Sequence, residues 1–385
     1  MRRIYLDHNA STAVHPEVLA AMLPYFGEQY GNPSSIHGFG REARDAVEAA
    51  REEIAGFLGI AKEEFLFTSG GTESDNLAIK GVAYAHGKGH VITTQVEHHA
   101  VLRTCQALER AGFAVTYLPV DGTGMVDPGD VRRAIRSDTL LITIMYANSE
   151  VGTIMPIAEI GRIAREHRIP FHSDGVQAFG KIPFDVREQG IGLLSCSSHK
   201  IYGPKGLGGL YIRKGTRMVS IQHGGDHERR RRAGTENVPA IVGFAKAVAL
   251  RARDMQEETV RVRRLRDRLW DGVSARVADV RLNGHPTERL PGTLNLSFRG
   301  LEAESLILAL DLKGIGASAG SACTSGSLEP SYVLTAMGIP SEWALGALRC
   351  SLGRSTSDRD IDDVLEVLPA AAERIRAMSP AAVTA

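Results

Sequence analysis

Three residues of the chain have the types that covalent chemistry on sulfur requires. Lys200 follows a strand-like run that ends at Ser197, and Asp174 ends another apolar run. Cys323 lies in the segment 319–327, which is made almost wholly of small residues and predicts a mobile loop. A lysine that holds pyridoxal phosphate covalently needs a carboxylate to pair with the ring nitrogen of the cofactor. Asp174 can be that carboxylate, so the trio indicates a pyridoxal phosphate enzyme acting on sulfur.

The segment 69–76 predicts a phosphate site. It reads Ser-Gly-Gly-Thr-Glu-Ser-Asp-Asn, follows the strand-like run 65–67 and precedes an apolar helix pattern. Backbone N–H groups at a helix N-terminus, here at Gly71, bind anions, and Thr72 adds a hydroxyl. An ordinary strand-to-helix turn would read the same way. The segment lacks the Gly-Lys-Ser/Thr ending of a nucleotide-binding loop, which disfavours a nucleotide.

Other polar side chains follow further strand-like runs. Asn148 and Gln177 come after two of these runs, and His98 comes after a third. The carboxyl ends of parallel strands meet at one edge of a sheet, where such folds bind ligands. Asn148 and Gln177 are expected to contact the ring oxygen of the cofactor, and His98 to stack on the ring or to carry protons. Each alone is more typical of a satisfied structural group, but their repetition favours a site.

The elements that position these residues alternate between strand and helix patterns. Strand-like runs recur at 91–94, 114–118, 140–146, 169–173, 193–197 and 209–212, with helical patterns between them. This alternation predicts an α/β fold whose parallel sheet is covered by helices on both faces. A long helical stretch, 240–274, leads into a smaller α+β unit. We expect a large cofactor-binding domain over 15–255 and a small domain, made of 1–14 and 256–385, that carries the cysteine loop.

Composition excludes several classes of protein. The 385 residues include 45 basic and 45 acidic ones, so no net charge attracts nucleic acid or a membrane. The N-terminus has no apolar signal region, which predicts a cytoplasmic protein. The four cysteines lie far apart without a Cys-x-x-Cys pair, which argues against disulfides and against a zinc site. We therefore expect reduced thiols and no metal.

Longer motifs give the chain a family resemblance over nearly its whole length. They occupy residues 5–10, 31–37, 68–76, 199–206 and 321–330. The chain resembles the cysteine desulfurases, within the class V aminotransferase group of fold-type I pyridoxal phosphate enzymes. The Arg-x-Gly-His-His-Cys pattern of the short-loop branch is absent, so the NifS/IscS-like long-loop branch is the better match. The resemblance implies a mostly parallel seven-stranded sheet in the large domain.

The same resemblance implies a role for each site residue. Lys200 would carry the cofactor, Asp174 would pair with its ring nitrogen, and Cys323 would be the nucleophile. The other cofactor-binding positions are Gly71, Thr72, His98, Asn148, Gln177, Ser197, His199 and Thr235. Thr235 would reach the phosphate of a second subunit. Arg349, with Asn148 and Asn32, would bind the substrate, because the guanidinium fork suits a carboxylate.

The implied reaction converts L-cysteine to L-alanine, with the sulfur passing as a persulfide on Cys323 to an acceptor protein. The implied assembly is a homodimer without direct contact with nucleic acid or membrane. Iron–sulfur cluster assembly, transfer-RNA thiolation, cofactor sulfuration and DNA sulfur modification all stay open as destinations. A selenocysteine lyase or a small-molecule aminotransferase would share Lys200 and Asp174, although an aminotransferase needs no such cysteine loop. A sulfur carrier or scaffold without catalysis is a further alternative.

Three positions depart from the family pattern. His227 stands where the family usually has glutamine, Arg230 where it usually has glycine, and Leu345 where histidine is frequent. These positions lie in a loop and near a strand. We expect them to affect loop geometry and partner contacts more than the chemistry.

Overall fold

The protein is described by a computed structural model that covers residues 2–319 and 329–378. Its strands, numbered in chain order, are β1 (Ile4–Tyr5), β2 (Phe65–Thr68), β3 (His90–Thr94), β4 (Ala114–Leu118), β5 (Thr139–Thr143), β6 (Phe171–Asp174), β7 (Leu193–Ser197), β8 (Gly208–Ile212), β9 (Val280–Asn283), β10 (Thr293–Phe298), β11 (Ile315–Gly316) and β12 (Ala347–Ser351). Seven of them form the main sheet in the order β2-β8-β7-β6-β5-β3-β4. Only β8 runs antiparallel to its neighbours in that sheet. The predicted mostly parallel seven-stranded sheet is confirmed.

Helices cover both faces of the main sheet. The helices of the described residues, on this sheet and elsewhere, are α1 (Pro16–Met22), α2 (Pro24–Gly27), α3 (Gly38–Leu58), α4 (Gly71–His86), α5 (His99–Arg110), α6 (Pro128–Ala134), α7 (Ile157–Glu166), α8 (His227–Arg230), α9 (Val238–Ser274), α10 (Ala303–Asp311), α11 (Tyr332–Ala336), α12 (Ser341–Ala344) and α13 (Asp358–Met378). Helices α4 and α5 pack on one face, and α3, α7 and α9 on the other. None of the helices within 2–319 and 329–378 has the length and apolar character needed to cross a bilayer.

A second hydrophobic core lies around a three-stranded antiparallel sheet of order β12-β10-β9. Helices α10 and α13 pack against it, and so do Ile4 and Leu6 from the start of the chain. The short pair β1 and β11 joins the N-terminus to this unit. The first residues of the chain therefore share a core with the last third of it.

Helix α9 connects the two cores. Phe244 and Val248 in its first half are buried against the main sheet, while Leu265 and Leu269 in its second half are buried in the second core. Asn237 caps its N-terminus by accepting a hydrogen bond from Ala240 N at 3.2 Å. One continuous helix therefore sets how the two units are placed relative to each other.

The short element α8 is a left-handed turn. Glu228, Arg229 and Arg230 have φ of 46°, 57° and 65°, a region where a Cβ is crowded by the following carbonyl. Glu228 holds the turn in place, because its carboxylate accepts two bonds from the buried Arg51 guanidinium, each 2.8 Å, and one from Phe67 N at 3.0 Å. The Arg51–Glu228 pair therefore offsets the strain at these left-handed positions.

Replacement of Arg230 by glycine should stabilise the protein. Glycine has no Cβ, so the strain at φ 65° disappears, and the exposed bond from Arg230 to Asp226 contributes little. We expect Arg230→Gly to raise the free energy of unfolding by about 0.5 kcal/mol in urea titrations. The control is Arg231→Gly, because Arg231 has φ −97° and should lose stability instead. Equal losses in both variants would contradict the assignment of strain to position 230.

Candidate active site

Asp174 is the last residue of β6, at the carboxyl edge of the main sheet. It is 7% exposed, and its Oδ1 accepts a hydrogen bond from Val176 N at 2.9 Å. Burial raises the pKa of this carboxyl group, while His98, the Val176 N–H and Lys200 oppose the rise. A cationic group placed beside Asp174 would restore its charge. The edge predicted from the sequence therefore holds a carboxylate that favours a positive partner.

His98 lies within reach of Asp174 at the start of α5. Its Nδ1 accepts a hydrogen bond from Ala100 N at 3.1 Å, which caps the helix. Burial lowers the pKa of His98, with Asp174 opposing and Lys200 reinforcing that effect. The ring is therefore neutral at pH 7, with its proton on Nε2. A neutral, buried imidazole suits stacking on an aromatic ring.

Asp75 completes this cluster, and the sequence reasoning did not single it out. One ligand atom from each of Asp75, His98 and Asp174 lies within 4.8 Å of the others. Burial and the nearby Asp174 raise the pKa of the Asp75 carboxyl group well above its usual value. Two buried carboxyl groups this close cannot both be charged without a cation. The sequence signal that could have identified Asp75 is its position four residues after Gly71, because one turn of α4 brings its side chain back toward the sheet.

Lys200 ends the turn that follows β7. Its Nζ donates hydrogen bonds to the backbone oxygens of Asn9 and of Ala10, the latter at 2.9 Å. Its charge also acts on Asp174 and His98. The amine that the sequence assigns to the cofactor thus acts electrostatically on the carboxylate and the imidazole assigned to the ring.

The N-terminal segment fixes the turn that carries Lys200. Thr12 binds the carbonyl of His199 through its backbone N–H and its hydroxyl, at 3.0 and 2.9 Å. Ser11 Oγ lies 3.1 Å from His199 Nδ1. Burial and neighbouring lysines lower the pKa of His199 to about 4, so this ring is neutral at pH 7. Ser197, buried at the end of β7, precedes the same turn.

Gln177 follows Asp174 by almost one helical turn and is buried. Its Nε2 donates to Asn9 O at 3.0 Å, and its Oε1 accepts from Lys181 Nζ at 2.8 Å. The same Lys181 ammonium donates to Asn9 Oδ1 at 3.3 Å. Asn9 therefore contacts Gln177, Lys181 and Lys200 together. Neither Asn9 nor Lys181 was assigned a role from the sequence.

The N-terminus of α4 has the features of an anion site. Gly70 precedes the helix without a side-chain cap, and Thr72 is exposed in the first turn. A Cβ on Gly71 would lie 2.6 Å from Val176 Cγ2, so only glycine fits this approach to the residues after β6. Uncapped N–H groups of a 16-residue helix attract a phosphate. Together with Asp174, His98 and Lys200, this donor set fits pyridoxal phosphate.

Asn148 is buried in the turn after β5 and already has structural partners. Its Oδ1 accepts from Glu150 N and Val151 N, at 2.8 and 3.0 Å, and its Nδ2 donates to Val96 O at 3.0 Å. Nδ2 also donates to Met145 Sδ at 3.5 Å, so both N–H groups of the amide have a partner. Contact with the cofactor or the substrate stays a prediction for this residue.

Arg349 lies on β12 and is 3% exposed. Its guanidinium donates to Asp7 Oδ1 at 2.8 Å and to Ser149 O at 3.1 Å. Arg349 and Asp7 therefore form a salt bridge. It holds the planar fork in one orientation between the second core and the main sheet, as a carboxylate clamp requires.

Two predicted residues lie away from this cluster. Asn32 is exposed and accepts a hydrogen bond from Ser34 N within its own turn, and Thr235 is also exposed. Cys323 lies outside the described residues. The three described cysteines, Cys105, Cys196 and Cys350, are buried. Burial raises the pKa of each thiol, for Cys350 to about 12, so none forms a ready thiolate.

The departures from the family pattern have local structural consequences. His227 Nδ1 accepts from Gly234 N at 3.3 Å and so closes the loop that leads to Thr235. Arg230 occupies a left-handed position that glycine would suit better. Leu345 follows α12 and is 37% exposed, so it lies at the surface. The Gly234–His227 hydrogen bond and the Arg230–Asp226 ion pair involve neither Asp174 nor Lys200.

Comparison with known proteins identifies relatives over almost the full length. The profile of the family "Aminotransferase class-V" matches residues 4–364. A relative from Methanosarcina thermophila, "Cysteine desulfurase IscS", is 54% identical over 381 residues, covering 98% of this chain and 94% of the relative. A solved "NIFS-like protein" superposes with a TM-score of 0.91 at 38% identity, covering 96% of this chain and 99% of its own. Another, "SspA in complex with cysteine", has a TM-score of 0.81 at 39% identity, covering 91% and 99%.

Proposed function

The chain belongs to the aminotransferase class-V family, and we propose that it is a cysteine desulfurase that converts L-cysteine to L-alanine with pyridoxal phosphate as cofactor. One observation carries this proposal: Asp174 and His98 lie together near the uncapped N-terminus of α4, and the charge of Lys200 acts on both. A relative that covers 98% of the chain bears the same activity in its name. A structure at 39% identity is titled as a complex with cysteine.

Different residues of the site would contact different parts of the cofactor. Asp174 would face the ring nitrogen, His98 the ring, and Gln177 with Asn148 the ring oxygen. The phosphate would bind at the α4 N-terminus, by Gly71 and Thr72, with Ser197 and His199 nearby. Pyridoxal phosphate, when bound, supplies an electron sink for the electrons left when the substrate loses its Cα proton. A cation at the ring nitrogen would also stabilise the ionised form of Asp174 that burial disfavours.

Lys200 has two tasks in this proposal. Its Nζ would hold the cofactor between turnovers, and its free amine would take the Cα proton of the substrate. The backbone oxygens of Asn9 and Ala10, both contacts of this nitrogen, keep the released amine close to its place of action. A general base must lie within hydrogen-bond reach of the proton it removes.

Arg349 would bind the carboxylate of L-cysteine. Asp7 and the carbonyl of Ser149 orient its guanidinium, and Asn148 and Asn32 would add polar contacts to the substrate. Fixing the carboxylate and the amino group leaves the substrate thiol as the free end. A buried guanidinium makes this binding strong because little water competes.

Cys323 would then accept the sulfur. Its thiolate attacks the substrate sulfur, the carbon–sulfur bond breaks, and the carbon skeleton keeps the electron pair and leaves as alanine after protonation. The enzyme retains a persulfide on Cys323, so L-cysteine plus one thiol gives L-alanine plus one persulfide. The need for a reduced thiol supports a cytoplasmic location. An acceptor protein, such as an iron–sulfur scaffold or a thiolation or sulfur-modification protein, would take the persulfide sulfur.

We also propose that the chain works as a homodimer. Thr235 is exposed at the end of the loop held by Glu228 and His227, where it could reach the phosphate site of a second copy. Exposed apolar side chains on and near α1, α2 and the start of α3 offer a surface for burial: Leu19, Leu23, Phe26, Tyr30, Ile36 and Phe39. Tyr30 and Phe39 are in ring contact, with centroids 5.8 Å apart, and exposed apolar side chains that come together would suit a subunit interface.

Removal of the arginine clamp should weaken substrate binding more than cofactor binding. In Arg349→Ala a charged hydrogen-bonding partner of the substrate carboxylate is lost, which costs roughly 2–4 kcal/mol in kcat/KM. We expect KM for L-cysteine to rise and cofactor absorbance per chain to stay unchanged. Arg349→Lys is the matched control, since it keeps the charge without the fork and should lose less. An unchanged KM in Arg349→Ala would show that the clamp lies elsewhere.

Replacement of Cys323 should separate the two halves of the reaction. Removal of the Cα proton needs Lys200 and the cofactor only, whereas sulfur abstraction needs a thiolate, and a serine hydroxyl is too weakly acidic to replace it. We expect Cys323→Ser to bind cofactor and exchange the Cα hydrogen of L-cysteine with deuterated water, yet to form no alanine. Mass spectrometry of both products in a single turnover measures this.

The control variants replace the buried cysteines, Cys105→Ala, Cys196→Ala and Cys350→Ala, each of which should keep alanine production largely intact. Alanine formation at the wild-type rate by Cys323→Ser would overturn the role of Cys323. Release of a 2-oxo acid instead of alanine by the wild-type chain would favour an aminotransferase.

A further inference from the structure

Asn9 is a buried residue that has no part in the proposed reaction. Its backbone oxygen accepts a hydrogen bond from Lys200 Nζ and another from Gln177 Nε2, the latter at 3.0 Å. Its side-chain Oδ1 accepts from Lys181 Nζ at 3.3 Å. Asn9 lines one small cavity of about 40 Å³ together with both lysines. A single carbonyl group therefore contacts the proposed cofactor lysine and the proposed ligand of the ring oxygen.

The donors of Asn9 anchor it to the turn after β5 and to the second core. Its Nδ2 donates to Thr293 Oγ1 on β10 at 2.9 Å and to Ser149 O at 3.1 Å. Its backbone N–H donates to Ser351 Oγ on β12 at 2.9 Å. Ser149 O also accepts from the Arg349 guanidinium at 3.1 Å. The side chain of Asn9 thus fixes its carbonyl group against the carbonyl that helps to orient the proposed substrate clamp.

The carbonyl of Asn9 also decides which way the Gln177 amide points. Gln177 Nε2 donates to Asn9 O, and its Oε1 accepts from Lys181 Nζ at 2.8 Å. An amide turned by 180° would place its oxygen against the Asn9 oxygen and lose both bonds. A primary amide nitrogen carries two N–H groups, so one can bind Asn9 while the other reaches the ring oxygen of the cofactor. The observed orientation is therefore the one that offers a donor to the ring.

We propose that Asn9 is a positioning residue for the desulfurase reaction: anchored by Ser149 and Thr293, its carbonyl aims the Lys200 amine and the Gln177 amide at the cofactor. Asn9 acts through these two side chains and not on the reacting atoms. Such placement matters because a displacement of about 1 Å can slow a reaction roughly 100-fold. This inference rests on the proposed function, in which Lys200 carries the cofactor and removes the Cα proton.

The test measures exchange of the Cα hydrogen of L-alanine with deuterated water by purified holoenzyme, per bound cofactor. L-alanine has no thiol, so sulfur transfer plays no part. In Asn9→Ala the carbonyl loses its side-chain anchors, and we expect the exchange rate constant to fall roughly 10–100-fold. The KM for L-alanine should stay within about twofold of the wild-type value, because Arg349 keeps its bonds to Asp7 and Ser149.

A matched pair of variants at Thr293 examines one anchor alone. Thr293→Val removes the acceptor of the Asn9 amide with little change of shape, and we expect a loss of about 3–10-fold in exchange. Thr293→Ser keeps the hydroxyl and should exchange like the wild type. Visible circular dichroism of the bound cofactor is the second measurement. Its intensity should fall in Asn9→Ala and Thr293→Val and be retained in Thr293→Ser, since it reports how the ring is held.

Wild-type exchange and circular dichroism in Asn9→Ala would overturn the inference. Equal behaviour of Thr293→Val and Thr293→Ser would also overturn it, because a merely structural role does not distinguish a hydroxyl from a methyl group in enzyme that has bound cofactor. If Asn9→Ala does not fold, the Thr293 pair decides. A wild-type chain that binds no pyridoxal phosphate or exchanges no Cα hydrogen would instead contradict the proposed function itself.

Discussion

A buried carboxyl pair, Asp174 beside Asp75, is the constraint around which the rest of the site is arranged. Desolvation raises the pKa of both groups, and the charge of Asp174 raises the pKa of Asp75 further. Two negative charges on this pair need a nearby cation, and Lys200 opposes the rise in the pKa of Asp174. A protonated ring nitrogen beside Asp174 would add a second cation, which is the physical reason we propose for a preference of this site for pyridoxal phosphate over an uncharged aromatic ligand.

The N-terminal segment couples this site to the second core. Asn9 and Ala10 accept from Lys200, and Thr12 holds the turn that carries it. Asp7, two residues before Asn9, forms a salt bridge with Arg349 on β12. Lys200 and Arg349, the proposed base and carboxylate clamp, are thus positioned by one short stretch of chain that is anchored in both units. Movement of the small unit relative to the main sheet would change the distance between the substrate carboxylate and the base.

Much of the architecture followed from local patterns, because apolar runs at strand ends and capped helices are visible in the sequence. Asp174, Lys200 and the Gly71 turn were predictable for that reason. Asp75 and Lys181 were not, since each becomes significant only when α4, or the turn after β6, brings it against a residue distant in sequence.

The bounds of one strand differ from those predicted: the run 140–146 was expected to be one strand, but β5 ends at Thr143, before the turn that Asn148 closes. The left-handed turn at Arg230 was hidden as well, because arginine gives no local signal for a positive φ. The division into domains at residue 255 stays a prediction, and that position lies within the continuous helix α9.

The most direct test of the account is to reduce the holoenzyme with borohydride and map the modified peptide by mass spectrometry. Reduction makes the link between lysine and cofactor permanent, so the modified residue identifies the amine that held it. The account predicts one phosphopyridoxyl group per chain, on Lys200. Because Lys181 lies in the same cavity, it is the natural competitor within the site. Modification of Lys181 or of any other lysine, with Lys200 unmodified, would contradict the assignment on which the proposed mechanism depends.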